Sequence, residues 1–165
     1  VLCDMLDEAV SDAVISLNEM RETEGLTVKA DFERLIDNIR VHLDMIKQRA
    51  PFVIDEYRVK LTKRIEEYLC SVEVDQAKLI NEVAFFADKA DINEEISRLD
   101  SHISQFADVI ESDGEAGRKL DFLAQEMNRE INTMGSKSAD IELLNHVVEM
   151  KNELEKIREQ IRNVE

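Results

Sequence analysis

Proline occurs once and glycine four times in 165 residues, and tryptophan is missing altogether. Such sparse punctuation leaves few sites for tight turns, and no segment alternates in the way a half-buried strand does, which excludes sheet-based architectures. Two cysteines, Cys3 and Cys70, form neither a metal-ligand spacing nor a disulfide framework, and they fit a reduced, cytosolic setting. Apolar runs fall far short of the roughly 20 residues needed to span a bilayer, and no signal-peptide pattern heads the chain, so no membrane association is expected. Nothing suggests a serine or cysteine nucleophile. Basic residues are also scarce, with 21 Lys and Arg against 37 Asp and Glu, a formal net charge of -16. Taken as an average, that charge repels nucleic acid, because sequence-independent affinity comes from basic groups that displace counterions from phosphates.

What the chain does have is charge at helical spacing. Charged residues make up 35% and aromatic residues 5%, the composition of long amphipathic helices. Leu2, Leu6, Ala9, Ala13, Leu17 and Met20 form one stripe and Val28, Phe32, Leu35, Ile39, Leu43 and Ile46 a second. The eight residues between Met20 and Val28 turn a helix by only about 80° beyond whole turns, so both stripes can face one partner on a continuous helix over 2–49. Because the stripe begins with Leu2, the chain reads as a fragment cut at or near a helix start. Pro51 is expected to end or kink that helix and open the next, carrying Ile54, Tyr57, Leu61, Ile65 and Tyr68. Asp75 reads as the N-cap of a helix with Leu79, Val83 and Phe86. Asp91 and Glu94 read as a capping box for a helix with Ile92, Ile96, Leu99, Ile103, Phe106 and Ile110. Asp113-Gly114 is the next turn, and a helix from about Glu115 to Met134 closes at Gly135 in left-handed geometry. Ser138 can cap the last helix, with Asp140 near its positive end and a stripe from Ile141 through Leu144, Val147, Met150, Leu154, Ile157 and Ile161 to Val164. The expected fold is all-α: long antiparallel helices in a bundle, partly coiled-coil-like, forming one domain over 1–165.

The charge is unevenly spread. Residues 1–117 carry 13 basic and 27 acidic groups, whereas 118–165 carry 8 and 10. Within 40–64, Arg40, Lys47, Arg49, Arg58, Lys60, Lys63 and Arg64 outnumber Asp44, Asp55 and Glu56. That segment, with Arg58, Lys60, Lys63 and Arg64 at its heart, is the candidate phosphate-facing patch; a solvated basic helix face is the alternative.

The richest stretch is GRKLDFLAQEMNREINTMGSKS, 117–138. Leu120, Leu123, Met127, Ile131 and Met134 make its apolar stripe, and Asn128 and Asn132 are poor helix formers that a merely solvated face has little use for. Asp121, Glu126 and Glu130 offer carboxylates to a divalent ion, and Arg118 and Arg129 can clamp a phosphate; a buried polar network between helices or subunits is the other explanation. Upstream, Glu94, Arg98 and His102 follow one another at one-turn intervals, with Glu95 beside them. Carboxylates and a neutral imidazole can hold magnesium or manganese, and the alternative is a ladder of ion pairs. Gly135-Ser136-Lys137-Ser138 resembles the tail of a phosphate loop without its upstream glycines, so Lys137 is either a phosphate contact or part of a plain turn. His42 and His146 lie in or beside apolar stripes and read as packing residues.

RKLDFLAQEMNREINTMGSKS, the run ADINEEISRLDSHISQF from Ala90 to Phe106, and the ending VVEMKNELEKIREQIRNVE resemble, in order, the C-terminal half of the YicC/YloC family of bacterial proteins. NEMRETEG near residue 20 and RAPFVIDEYRVKL near residue 50 extend the likeness more loosely. Members have a further N-terminal domain of similar size, which nothing in this chain resembles. The resemblance implies a metal-dependent endoribonuclease that assembles into hexamers, with RNA as its partner and Mg or Mn as its cofactor. Taken with the residues above, it favours His102, Glu126 and Arg129 as catalytic residues and Glu94, Glu95, Asp121 and Glu130 as the candidate metal ligands. The RNA or phosphate contacts at Arg58, Lys60, Lys63, Arg64, Arg118 and Lys137 rest on charge and local pattern. The competing expectation is a non-catalytic helical oligomerisation or scaffold module.

Overall fold

The computed structural model describes residues 2–69, 76–112 and 116–162. Among these residues five helices follow one another: α1 (Leu2–Leu69), α2 (Gln76–Ala90), α3 (Asn93–Glu111), α4 (Gly117–Lys137) and α5 (Ile141–Ile161). No strand occurs among the described residues, so the all-α expectation holds. Asp75 and the Asp113-Gly114 turn lie outside the described residues.

The middle of α1 packs with α3, α4 and α5 into a four-helix bundle. Neighbouring pairs are α1 with α5, α5 with α4, α4 with α3, and α3 with α1. Lys29 meets Glu111 while Lys47 meets Asp100, so α1 and α3 are antiparallel. Arg49 meets Asp140 while Asn38 meets Glu153, and Lys137 meets Glu95 while Arg98 meets Glu130, so the same holds for α1 with α5 and for α3 with α4. These three relations make α4 antiparallel to α5 as well. The core is built from the expected stripes: Phe32, Leu35, Ile39, Leu43 and Ile46 from α1, Ile96, Leu99, Ile103 and Phe106 from α3, and Leu120, Leu123, Met127, Ile131 and Met134 from α4. Phe32 and Phe106 meet edge to face, with ring centroids 5.7 Å apart. On α5 the buried stripe starts at Leu143, then runs through Val147, Met150, Leu154, Ile157 and Ile161. Ile141, expected to lead it, is 76% exposed, because it lies two residues, about 200° of helix, before Leu143 and so faces away from the 4-3-4-3-4 register that Leu143 begins.

Two features of α1 depart from expectation. The helix does not break at Pro51; it continues to Leu69 with the proline inside it. Proline removes the hydrogen bond to the carbonyl four residues back and costs an interior helix about 3 kcal/mol. Here Arg49, just before it, donates to both carboxylate oxygens of Glu56, just beyond it, at 2.6 Å each. Arg49 also donates to Asp140 at the start of α5, at 2.7 Å. This clamp straddles the weakened turn and ties it to the bundle. Past it, Tyr57 stacks on Phe86 of α2 at 3.7 Å between centroids.

The second departure concerns the first apolar stripe. At about 1.5 Å per residue α1 is close to 100 Å long, whereas the bundle helices span about 30 Å. Residues 5–27 overhang the bundle and are exposed without exception. Leu6, Leu17 and Met20, placed by their spacing against a partner, are 58%, 51% and 60% exposed.

Helix ends also differ from their local sequence signals. Ile92 holds the N-cap position of α3 with no side-chain cap, and Asp91 instead accepts from the backbone and side-chain amides of Asn93 at 2.9 and 2.8 Å. Glu94 is drawn to Arg98 rather than back to a capping box. Gly135 lies inside α4, which runs to Lys137; its role is space, since a Cβ there would meet Val147 Cγ1 at 3.1 Å. Asp140, not Ser138, caps α5 by accepting from the backbone N–H of Leu143 at 2.8 Å.

Candidate metal centre between α3 and α4

The polar residues at issue sit beside the core stripes, where two antiparallel helices bring their flanks together. His102 neighbours Ile103 on α3, and Glu126 and Glu130, one turn apart, flank Met127 and Ile131 on α4. Burial of those apolar neighbours fixes the register and turns all three polar side chains into one seam. A ring nitrogen of His102 and one carboxylate oxygen each from Glu126 and Glu130 lie within 4.8 Å of one another. Glu130 is buried, and His102 and Glu126 are half-buried. His102 Nδ1 is buried without a hydrogen-bond partner, in contrast to the general rule that buried polar atoms are paired.

Two guanidinium groups rim this triad. Arg129 reaches Glu126 at 3.6 Å and Arg98 reaches Glu130 at 3.7 Å. Both distances exceed a hydrogen bond, so the carboxylates are neutralised from a distance rather than saturated. Ligands of one magnesium or manganese ion lie at most about 4.2 Å apart, twice the metal–oxygen distance, so small side-chain rotations bring this donor set into range. One imidazole and two carboxylates with donor atoms within 4.8 Å of one another, on a histidine whose Nδ1 is unpaired, fit a divalent cation.

The family model for the C-terminal region of YicC-like endoribonucleases matches residues 46–165. The chain is 49% identical over 166 residues to a probable endoribonuclease YicC of Clostridioides difficile, covering 100% of this chain and 57% of that protein. It is 33% identical over 157 residues to a probable endoribonuclease YicC of Haemophilus influenzae, covering 95% of this chain and 54% of that one. The chain belongs to the YicC-like endoribonuclease family. It spans a little over half the length of these relatives.

The other residues singled out in the family motifs are held elsewhere. Glu94 is engaged by Arg98 and largely exposed. Glu95 is buried and pairs with Lys137 at 2.8 Å, leaving its Oε2 without a partner. Lys137 also donates to the backbone carbonyl of Asp91 at 2.9 Å, so it ties the C-terminus of α4 to the start of α3. Asp121 accepts from Gln125 at 2.7 Å, more than a turn from Glu126. Arg118 is exposed in the first turn of α4, and Arg58, Lys60, Lys63 and Arg64 are exposed on α1 beyond Pro51. His42 and His146 meet each other, Nδ1 to Nδ1 at 3.0 Å, in the seam between α1 and α5.

Sequence reasoning missed the contact of Arg98 with Glu130. Its signal was present in the one-turn spacing of Arg98 and His102, matched by that of Glu126 and Glu130.

Proposed function

We propose that this chain is the C-terminal, cation-holding part of a metal-dependent endoribonuclease. The observation that carries this reading is the meeting of a His102 ring nitrogen with carboxylate oxygens of Glu126 and Glu130, on a histidine whose buried Nδ1 has no hydrogen-bond partner. His102, Glu126 and Glu130 would be the ligands. An imidazole beside two carboxylates suits manganese better than magnesium, whose preference is for oxygen alone. A dication bound there supplies charge neutralisation at a phosphodiester and acidification of water. Arg129, 68% exposed beside Glu126, orients a phosphate in bidentate fashion, and Arg118 extends the same face of α4 towards its positive N-terminal end. Arg58, Lys60, Lys63 and Arg64 steer the RNA backbone along the far end of α1. Glu94, Glu95 and Asp121 are left to ion pairs and hydrogen bonds outside the ligand set.

RNA as substrate follows from the relatives, both probable endoribonucleases. Assembly into a homo-oligomer, a hexamer as the family resemblance implies, follows the exposed apolar residues of 5–27, which also favour a scaffold role for α1 beside the catalytic one. No described helix is long and apolar enough to cross a membrane, and a cytoplasmic setting belongs to the same reading, because Cys3 and Cys70 form no disulfide framework in the sequence. The decisive experiment measures manganese-dependent cleavage of an RNA oligonucleotide by a protein of the relatives' full length. His102→Ala, Glu126→Gln and Arg129→Ala are each expected to slow cleavage more than about tenfold, or about 1.4 kcal/mol of barrier, with helicity and oligomer size retained. Excess manganese should partly rescue Glu126→Gln but not Arg129→Ala. If all three variants cleave like the parent, the site is misassigned and this half is a scaffold.

A further inference from the structure

A cation held by His102, Glu126 and Glu130 leaves the position of Arg98 to be explained. Arg98 stands one turn before His102, and its guanidinium is shared between carboxylates of very different burial. Nη2 bonds Glu94, whose side chain is 69% exposed. Nη1 lies 3.7 Å from Oε1 of Glu130, whose side chain is 4% exposed. The first contact is a hydrogen bond within one helix, and the second is Coulombic only. Among the described residues, Arg98 is the one cation within 4.0 Å of Glu130.

A carboxylate withdrawn from water needs a compensating charge. Arg98 supplies it while the site holds no ion, and a dication on Glu130 supplies it afterwards. The two compensations exclude each other, because a guanidinium and a dication flanking the same carboxylate repel strongly in a poorly solvated seam. Glu94 gives the guanidinium somewhere to go: it keeps the group at the rim, half exposed, within reach of both the carboxylate and an incoming anion.

We propose that Arg98 is the resident counter-charge of the centre. It neutralises Glu130 in the cation-free protein, yields that carboxylate to the cation, and then presents its fork to an RNA phosphate. The proposal rests on the metal reading above and adds a positioning residue to it.

The test is calorimetric titration of the 165-residue chain with Mn²⁺, together with melting curves of the cation-free protein, for the parent, Arg98→Gln, Arg98→Lys and Glu130→Gln. Arg98→Gln should bind Mn²⁺ more tightly, by about three- to tenfold, because its competitor is gone, and should melt at a lower temperature without the ion. Arg98→Lys, which keeps the charge, should stay near the parent affinity. Arg98→Met, which keeps the aliphatic stem, repeats the measurement if the glutamine variant loses its helical circular dichroism. In the cleaving protein, Arg98→Gln should raise KM for RNA more than it lowers kcat. Unchanged or weaker Mn²⁺ binding by Arg98→Gln and Arg98→Met, with Glu130→Gln still abolishing uptake, overturns the role of Arg98 alone. A parent that takes up no Mn²⁺, or a Glu130→Gln variant that binds it like the parent, overturns the metal reading and this proposal with it.

Discussion

Two polar seams cross this bundle, each with histidine, a buried glutamate and an arginine, and they are finished differently. Between α1 and α5, His42 meets His146, Glu153 takes hydrogen bonds from Asn38 and Lys156, and Arg49 is saturated by Glu56 and Asp140. Between α3 and α4, His102 Nδ1 and Glu95 Oε2 have no partner, and Glu126 and Glu130 face arginines at 3.6 and 3.7 Å. The first seam uses its charges to hold helices together. The second leaves a ring nitrogen and a carboxylate oxygen unpaired and sets two carboxylates one turn apart, which is what the proposed cation site requires. Residue types alone do not distinguish the two seams; completeness of pairing does.

The comparison breaks most readily at the ligands. Mn²⁺ at a hundredfold excess over its dissociation constant should stabilise the chain by about 2.7 kcal/mol, and chelator should reverse the gain. Glu130→Gln and His102→Ala should lose this response, while Glu153→Gln should keep it. Without cation the signs reverse: Glu126→Gln should melt higher than the parent because it relieves carboxylate crowding, and Glu153→Gln lower. Equal behaviour of Glu126→Gln and Glu153→Gln in both melts would erase the distinction between the seams.

A smaller effect is expected at Asp140, which caps α5 and accepts from Arg49. Asp140→Ala should cost about 1 kcal/mol in urea unfolding, the usual loss of an N-cap, with Mn²⁺ uptake unchanged.

The smallest effect is that of pH. Hydrogen bonds from Arg49 hold Asp140 and Glu56 below their ordinary values of 3.8 and 4.5. Burial pushes Glu153 up, yet bonds from Lys156 and Asn38 outweigh it and leave that carboxyl below 4.5 as well. Depressed folded values mean that the stabilisation is complete above the unfolded values and is lost as pH falls through the folded ones. Melting temperature should therefore hold down to about pH 4.5 and decline below it, and Arg49→Ala should flatten that decline.

Much of this was legible in the sequence. The stripes of α3 and α4 were read residue by residue, and the one-turn pair Glu126 and Glu130 was visible beside its stripe. The meeting of that pair with His102 was not, because it depends on the register between two helices, which their buried side chains set only on packing. Pro51 misled because its cost is offset by Arg49, whose partners lie seven residues along the chain and on another helix. Gly135 misled because a glycine chosen for room beside Val147 reads like one chosen for its backbone freedom.

The clamp at Pro51 also sets what a bend in α1 would do. The bundle grips α1 by its middle, so if α1 bends at the turn with the missing hydrogen bond, the part beyond the clamp swings with α2 as a lever about that pivot. Arg64 lies 13 residues past that pivot, about 20 Å at helical rise, so a bend of about ten degrees there carries its guanidinium sideways by about 3 to 4 Å. A change of angle too small to disturb the α3–α4 seam is thus enough to move the basic end of α1 by half the spacing of neighbouring phosphates.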